Sequence, residues 1–141
     1  MTAKEFLKQY EYQNNYARRL RLEYEREKDL IDSLSVKIDG MPHGTNISKP
    51  TEDKALRLNE AFVRWFDAEK TAIKKRQIVF EAIAAVPGIE GDVLYERYVM
   101  LRKWEDICVL LHYSWYGVHN AHRRALRIIE ENIEKHTIGM L

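Results

Sequence analysis

The chain has 141 residues, with 23 Lys and Arg against 22 Asp and Glu, so its formal net charge of +1 gives no bulk sign of nucleic-acid binding. A single Cys excludes an intrachain disulfide framework and fits a reducing cytosol, and the polar start MTAKEFLKQYEYQNN is unlike a signal peptide. No apolar run approaches the length of a membrane span, so a cytoplasmic, membrane-free chain of one domain or two small ones is expected.

With only 6 Gly and 3 Pro, long uninterrupted helices are allowed. Residues 3–38 contain neither. Tyr10, Ala17, Tyr24, Ile31 and Ile38 recur every seven residues, and Phe6, Gln13, Leu20, Glu27 and Leu34 fill the offset series. A heptad stripe with polar breaks at Gln13 and Glu27 predicts a long amphipathic helix packed on another helix. Residues 39–50, with two Gly, two Pro and Asn46, read as a loop. Thr51 then opens a second long helix, with Glu52 and Asp53 suited to the positive end of its dipole. Leu58, Trp65, Ala72, Val79 and Val86 are seven apart. Ala55, Phe62 and Ile83 lie beside them, and Phe66, Ile73 and Phe80 widen the stripe until Pro87-Gly88 stops it. Two helices of about 36 residues, each roughly 50 Å long and joined by one loop, predict an antiparallel hairpin over residues 1–86. Phe62, Trp65 and Phe66 are expected in its core or in a homodimer contact.

Residues 87–141 read as a second domain. Gly91 or Asp92 is expected to cap a short helix carrying Val93, Leu94, Tyr98 and Leu101. A further short helix follows, with Trp104, Ile107, Leu110 and Leu111 on one apolar face. His112-Tyr113 makes a tight turn in which position 112 calls for a left-handed residue, a place usually given to Gly and tolerated by His. Cys108 supplies a small side chain where two helices cross closely. Ser114 is a good N-cap for the last helix. Val118, Ala121, Ala125, Ile128 and Ile129 mark the inner face of that helix, which is expected to run to about Glu134. Its outer face carries His119, Asn120, Arg123, Arg124 and Arg127. A polar, basic outer face on the second helix of such a pair is what DNA readout requires. Over residues 97–127, six Lys or Arg face two acids, a local excess of four positive charges that the total conceals.

Trp115, Tyr116, His119 and Asn120, in the first turns of the last helix, are the candidates to reach base edges. Arg123, Arg124 and Arg127, together with Arg102, Lys103 and Ser114, are the candidates to hold phosphates. Cys108, His112, His119 and His122 have spacings that a zinc site could use. Cys108 is expected to point inward, however, and His119 and His122 outward, so no metal is assigned. No Gly-rich phosphate loop, His-Glu-x-x-His or Gly-x-Ser-x-Gly motif occurs, so neither an enzyme nor a cofactor is expected.

Arg97-Tyr98, the run from Trp104 through Glu105 and Asp106 to Ile107, then Ser114, Val118 and Arg124-Ala125-Leu126 resemble the helix-turn-helix of region 4 in bacterial sigma factors. The whole chain looks like the small phage and prophage regulators of Gram-positive bacteria of the ArpU and RinA type. The Met41-Pro42, Gly44 and Ser48-Lys49-Pro50-Thr51 segment is similar to a loop of a related phage family. The resemblance implies transcriptional control of phage genes, with activation of a late operon as the expectation and host RNA polymerase as a further partner. Sigma factors typically carry charged residues where this chain has Trp115 and Tyr116, and the chain has no counterpart of the sigma regions that melt DNA. The reading is therefore an all-α protein, a long antiparallel helical hairpin followed by a compact three-helix helix-turn-helix domain, that binds double-stranded DNA as a homodimer. Two alternatives stand beside it: a small-terminase-like packaging subunit, and a helical protein-interaction adaptor that binds no DNA.

Overall fold

The structure is a computed structural model that describes residues 1–38 and 49–139. Five helices run through these residues, with no strand among them: α1 (Ala3–Ile38), α2 (Lys49–Ala84), α3 (Gly88–Leu94), α4 (Trp104–Leu111) and α5 (Trp115–Gly139). The all-α class is the one expected from the sequence. α1 and α2 are each 36 residues long.

α1 opens on a capping box that sequence reading passed over. The Glu5 N–H donates to Thr2 Oγ1 at 3.2 Å, and the Thr2 N–H donates to Glu5 Oε2 at 3.1 Å. α2 begins at Lys49, two residues ahead of the expected Thr51. Pro50 thus falls in the first turn, where a missing N–H costs nothing. It ends at Ala84 rather than Val86, because Pro87 disfavours helical backbone in the residue before it. The expected loop over residues 39–50 lies, for residues 39–48, outside the described residues.

The chain divides into two compact units, one formed by Met1–Gln13 with Ile73–Leu141 and the other by Asn14–Ala72. In the second unit Ala17 and Leu20 of α1 pack with Trp65 and Ala68 of α2. Tyr24 stacks on Trp65 with ring centroids 5.3 Å apart and meets Phe62 edge-on at 5.7 Å. Phe62 and Phe66 remain exposed, while Trp65 is half-buried.

In the first unit one core joins Ala3 and Leu7 of α1, Val79 and Ile83 of α2, Val86, Leu94, Tyr98, Val99, and Ala125 and Ile129 of α5. A second cluster, Val93, Ile107, Val118 and Ala121, ties α3, α4 and α5 together. α3 starts at Gly88, ahead of the cap expected at Gly91 or Asp92. Pro87, in extended backbone, precedes it, and Gly88 takes a left-handed φ of 74° that a side chain would resist. Gly91 packs on the preceding chain so closely that a Cβ would lie 2.1 Å from the Val86 carbonyl oxygen.

α3 does not continue as a plain α-helix. Tyr95–Val99 form a π turn, in which the Met100 N–H reaches the Tyr95 carbonyl at 3.0 Å. The buried pairs Val93-Leu94 and Tyr98-Val99 are five residues apart, the repeat that a π turn keeps on one face. Leu101, expected on this helix, instead leaves it at a left-handed φ of 57°.

Candidate nucleic-acid interface

The α4–turn–α5 segment is built by local interactions that its sequence prescribes. His112 adopts φ 58° and ψ 39°, the left-handed conformation expected of it. The Tyr113 N–H donates to the Cys108 carbonyl at 3.1 Å and the His112 N–H to that of Val109 at 3.4 Å, so α4 ends in a Schellman motif. Ser114 Oγ accepts the Gly117 N–H at 3.0 Å and its carbonyl accepts the Val118 N–H at 2.9 Å, which starts α5. Ile107, Val118 and Ala121 are buried where the two helices meet, with Cys108 half-buried at the edge. Leu110, expected on the inner face, is exposed, as is its neighbour Val109 at 76%. α4 buries the line Trp104, Ile107, Cys108 and Leu111, and Leu110 falls outside that stripe.

Three of the four candidate base readers share the start of α5 with distinct surroundings. Trp115 is 54% exposed and Tyr116 74%. His119 is half-buried, its ring 4.4 Å from that of Trp115 and 4.6 Å from that of Trp104. Its Nε2 is buried with no hydrogen-bond partner. The Arg97 guanidinium lies 4.7 Å from the other end of this row, over Trp104, and donates to the Arg102 carbonyl at 2.9 Å. Arg97, Trp104, His119 and Trp115 therefore form a continuous row of contacts, with the His119 ring tilted 42° to Trp104 and 51° to Trp115, that ends on an exposed indole. Asn120, the fourth candidate, is half-buried, and its Oδ1 accepts a hydrogen bond from Arg123.

His122 corrects the sequence reading. It was expected to point outward, yet it is only 8% exposed. Its Nε2 is hydrogen-bonded to the buried Tyr98 hydroxyl at 2.7 Å, and its ring meets Trp104 edge-on at 4.8 Å. Burial, aided by the nearby charges of Lys4, His119 and Arg97, pushes its pKa from 6.5 down to about 4. Burial likewise pushes Tyr98 up to about 12. Spacing held the missing signal: His122 is four residues after Val118, three before Ala125 and seven before Ile129, all on the buried face.

The candidate phosphate contacts fall into two groups. Arg102 Nε is 2.7 Å from Glu96, and Arg124 Nε is 2.9 Å from Glu90. The hydrogen bond from Arg124 holds the Glu90 carboxyl below its ordinary pKa. Arg102 precedes α4, and Lys103 occupies its N-cap position, at the start of the helix as expected. Lys103, Arg123 and Arg127 are exposed and, among the described residues, have no acidic partner. The Ser114 hydroxyl is committed to capping α5. Among the described residues no three His, Cys, Asp or Glu side chains are grouped to hold a metal ion, and no helix is long and apolar enough to cross a membrane. Comparison with protein-family models, with curated proteins and with solved structures finds no match to this chain.

Proposed function

We propose that the chain is a sequence-specific DNA-binding regulator that lays the start of α5 in the major groove. The observation that carries this reading is the α4–turn–α5 segment, closed by the left-handed His112 and the Ser114 cap, which leaves Trp115, Tyr116, Arg123 and Arg127 on the open side of α5. Phage or prophage genes as the setting, and RNA polymerase as a further partner, rest on the likeness of residues 97–129 to sigma region 4. Pairing with a second copy is supported by the exposed Phe62, Val63 and Phe66 of α2.

The test is duplex binding titrated with salt. If Lys103, Arg123 and Arg127 hold phosphates, log affinity falls with log salt at a slope of about 3 per chain, and Arg123→Ala with Arg127→Ala lowers it by about 2. Absence of salt-sensitive duplex binding in the folded protein would sink the reading. One observation favours a protein-docking adaptor instead: Val109, Leu110 and Tyr113 are exposed together on α4 and the turn, an apolar surface that phosphate contact does not need. Under that reading the double variant changes nothing.

A further inference from the structure

We infer that the chain selects thymine-bearing, A·T-rich duplex, reading thymine methyl groups with Trp115 and Tyr116. The inference rests on the DNA-binding reading above and adds the class of sequence recognised. Residues 115–122, Trp-Tyr-Gly-Val-His-Asn-Ala-His, contain no Lys or Arg. The acceptor edge of guanine is read chiefly by those two side chains, so the first turns of α5 lack the usual guanine reader. The next cation, Arg123, is hydrogen-bonded to Asn120, and Arg124 is held by Glu90.

What the helix does present is apolar. The indole of Trp115 and the ring of Tyr116 are the two most exposed candidates, and the base feature that an apolar edge distinguishes is the C5 methyl of thymine. The amide of Asn120 is half-buried and its Oδ1 accepts from Arg123, so the apolar rings carry the discrimination. His119 does not read a base in this arrangement. Its ring is sandwiched between Trp104 and Trp115, and its Nε2 is buried without a partner. It is a positioning residue, whose ring lies between the indoles of Trp104 and Trp115, tilted to both, and limits the movement of Trp115. A pinned indole loses little side-chain freedom on binding, so a contact with a methyl group is not offset by the cost of ordering the ring.

The experiment uses two randomised duplex pools, one made with thymine and one with deoxyuridine, which differ only in the C5 methyl. The full chain should enrich an A·T-containing motif from the thymine pool and fail to enrich it from the uracil pool. On the selected duplex, replacing single thymines by deoxyuridine should weaken binding by about fourfold at each methyl contacted. Trp115→Ala should abolish that sensitivity at one position while circular dichroism shows the helices intact. His119→Phe should retain it, because only the bulk of the ring between the two indoles is used, whereas His119→Ala should reduce it. A motif centred on G·C pairs, or equal binding of thymine and uracil duplexes, overturns the inference and leaves the DNA-binding reading standing. A loss of affinity in His119→Phe equal to that in His119→Ala would make His119 a polar reader and overturn its positioning role. Failure to retain any duplex overturns both readings and points to protein docking.

Discussion

The buried Tyr98–His122 pair makes a specific demand on stability. With its pKa lowered to about 4 in the fold and 6.5 in the unfolded chain, His122 takes up a proton in the unfolded state first as the pH falls. Its contribution to stability is therefore complete above pH 6.5, is lost progressively as pH falls toward about 4, and changes no further below that. The interval from 6.5 to about 4, at about 1.36 kcal/mol per pH unit, sets a ceiling of about 3 kcal/mol. Water at the open rim of the ring screens part of it, so about 2 kcal/mol is the expected loss. The comparison is made within a pair of proteins, so that the contribution of every other titrating group cancels. His122→Gln keeps a hydrogen-bond acceptor for the Tyr98 hydroxyl and removes the titrating ring. Urea denaturation followed by circular dichroism, at about pH 7 and about pH 4.5, should show the unmodified chain losing about 2 kcal/mol more than the variant. Identical losses in the two proteins, or a His122 ring that titrates near 6.5 by NMR in the folded state, would refute the reasoning.

Three further substitutions test the local construction. Gly91→Ala forces a Cβ against the Val86 carbonyl oxygen and should destabilise the fold by about 1–3 kcal/mol in urea denaturation. Ser114→Ala removes the acceptor of the Gly117 N–H and should cost about 1 kcal/mol, read as a lower thermal midpoint. His112→Val places a β-branched residue in left-handed backbone and should cost about 1–2 kcal/mol, whereas His112→Asn should be nearly neutral by the same assay.

The elements most legible in the sequence were those governed by local chemistry. The absence of Gly and Pro over residues 3–38 delimited α1, Pro87-Gly88 stopped α2, and Ser114 announced the start of α5. His112 was readable as left-handed because so few side chains tolerate that conformation at the end of a helix. What escaped depends on contacts between distant residues. The π turn at Tyr95–Val99 leaves no mark in a 3.6-residue pattern; it keeps Leu94, Tyr98 and Val99 in one core, while Val93 packs with Ile107, Val118 and Ala121. His122 was placed outside on its polarity, although its spacing belongs to the buried face, and only Tyr98, 24 residues away, supplies the partner that makes burial tolerable. Arg124 and Glu90 are 34 residues apart, a pairing that no local pattern reveals.

That pairing changes what the basic excess over residues 97–127 means. Six cations suggest a strong electrostatic anchor, but Arg97 lies over Trp104, Arg102 is on Glu96 and Arg124 is on Glu90. Under the proposed function, Lys103, Arg123 and Arg127 remain to meet phosphate. Three phosphate contacts give only modest affinity at physiological salt, since most non-specific binding comes from that term. Under the proposed function, discrimination then falls to the aromatic start of α5, whose indole is fixed by His119. A reader with few phosphate contacts gains most from a second copy, because two linked α5 helices double both the phosphate contacts and the bases read. Glu90 and Glu96 compete with phosphate for Arg124 and Arg102, and removing either carboxylate frees its arginine. Glu90→Gln and Glu96→Gln should then each steepen the salt slope of duplex binding by about 1. Unchanged slopes in both variants would refute that competition.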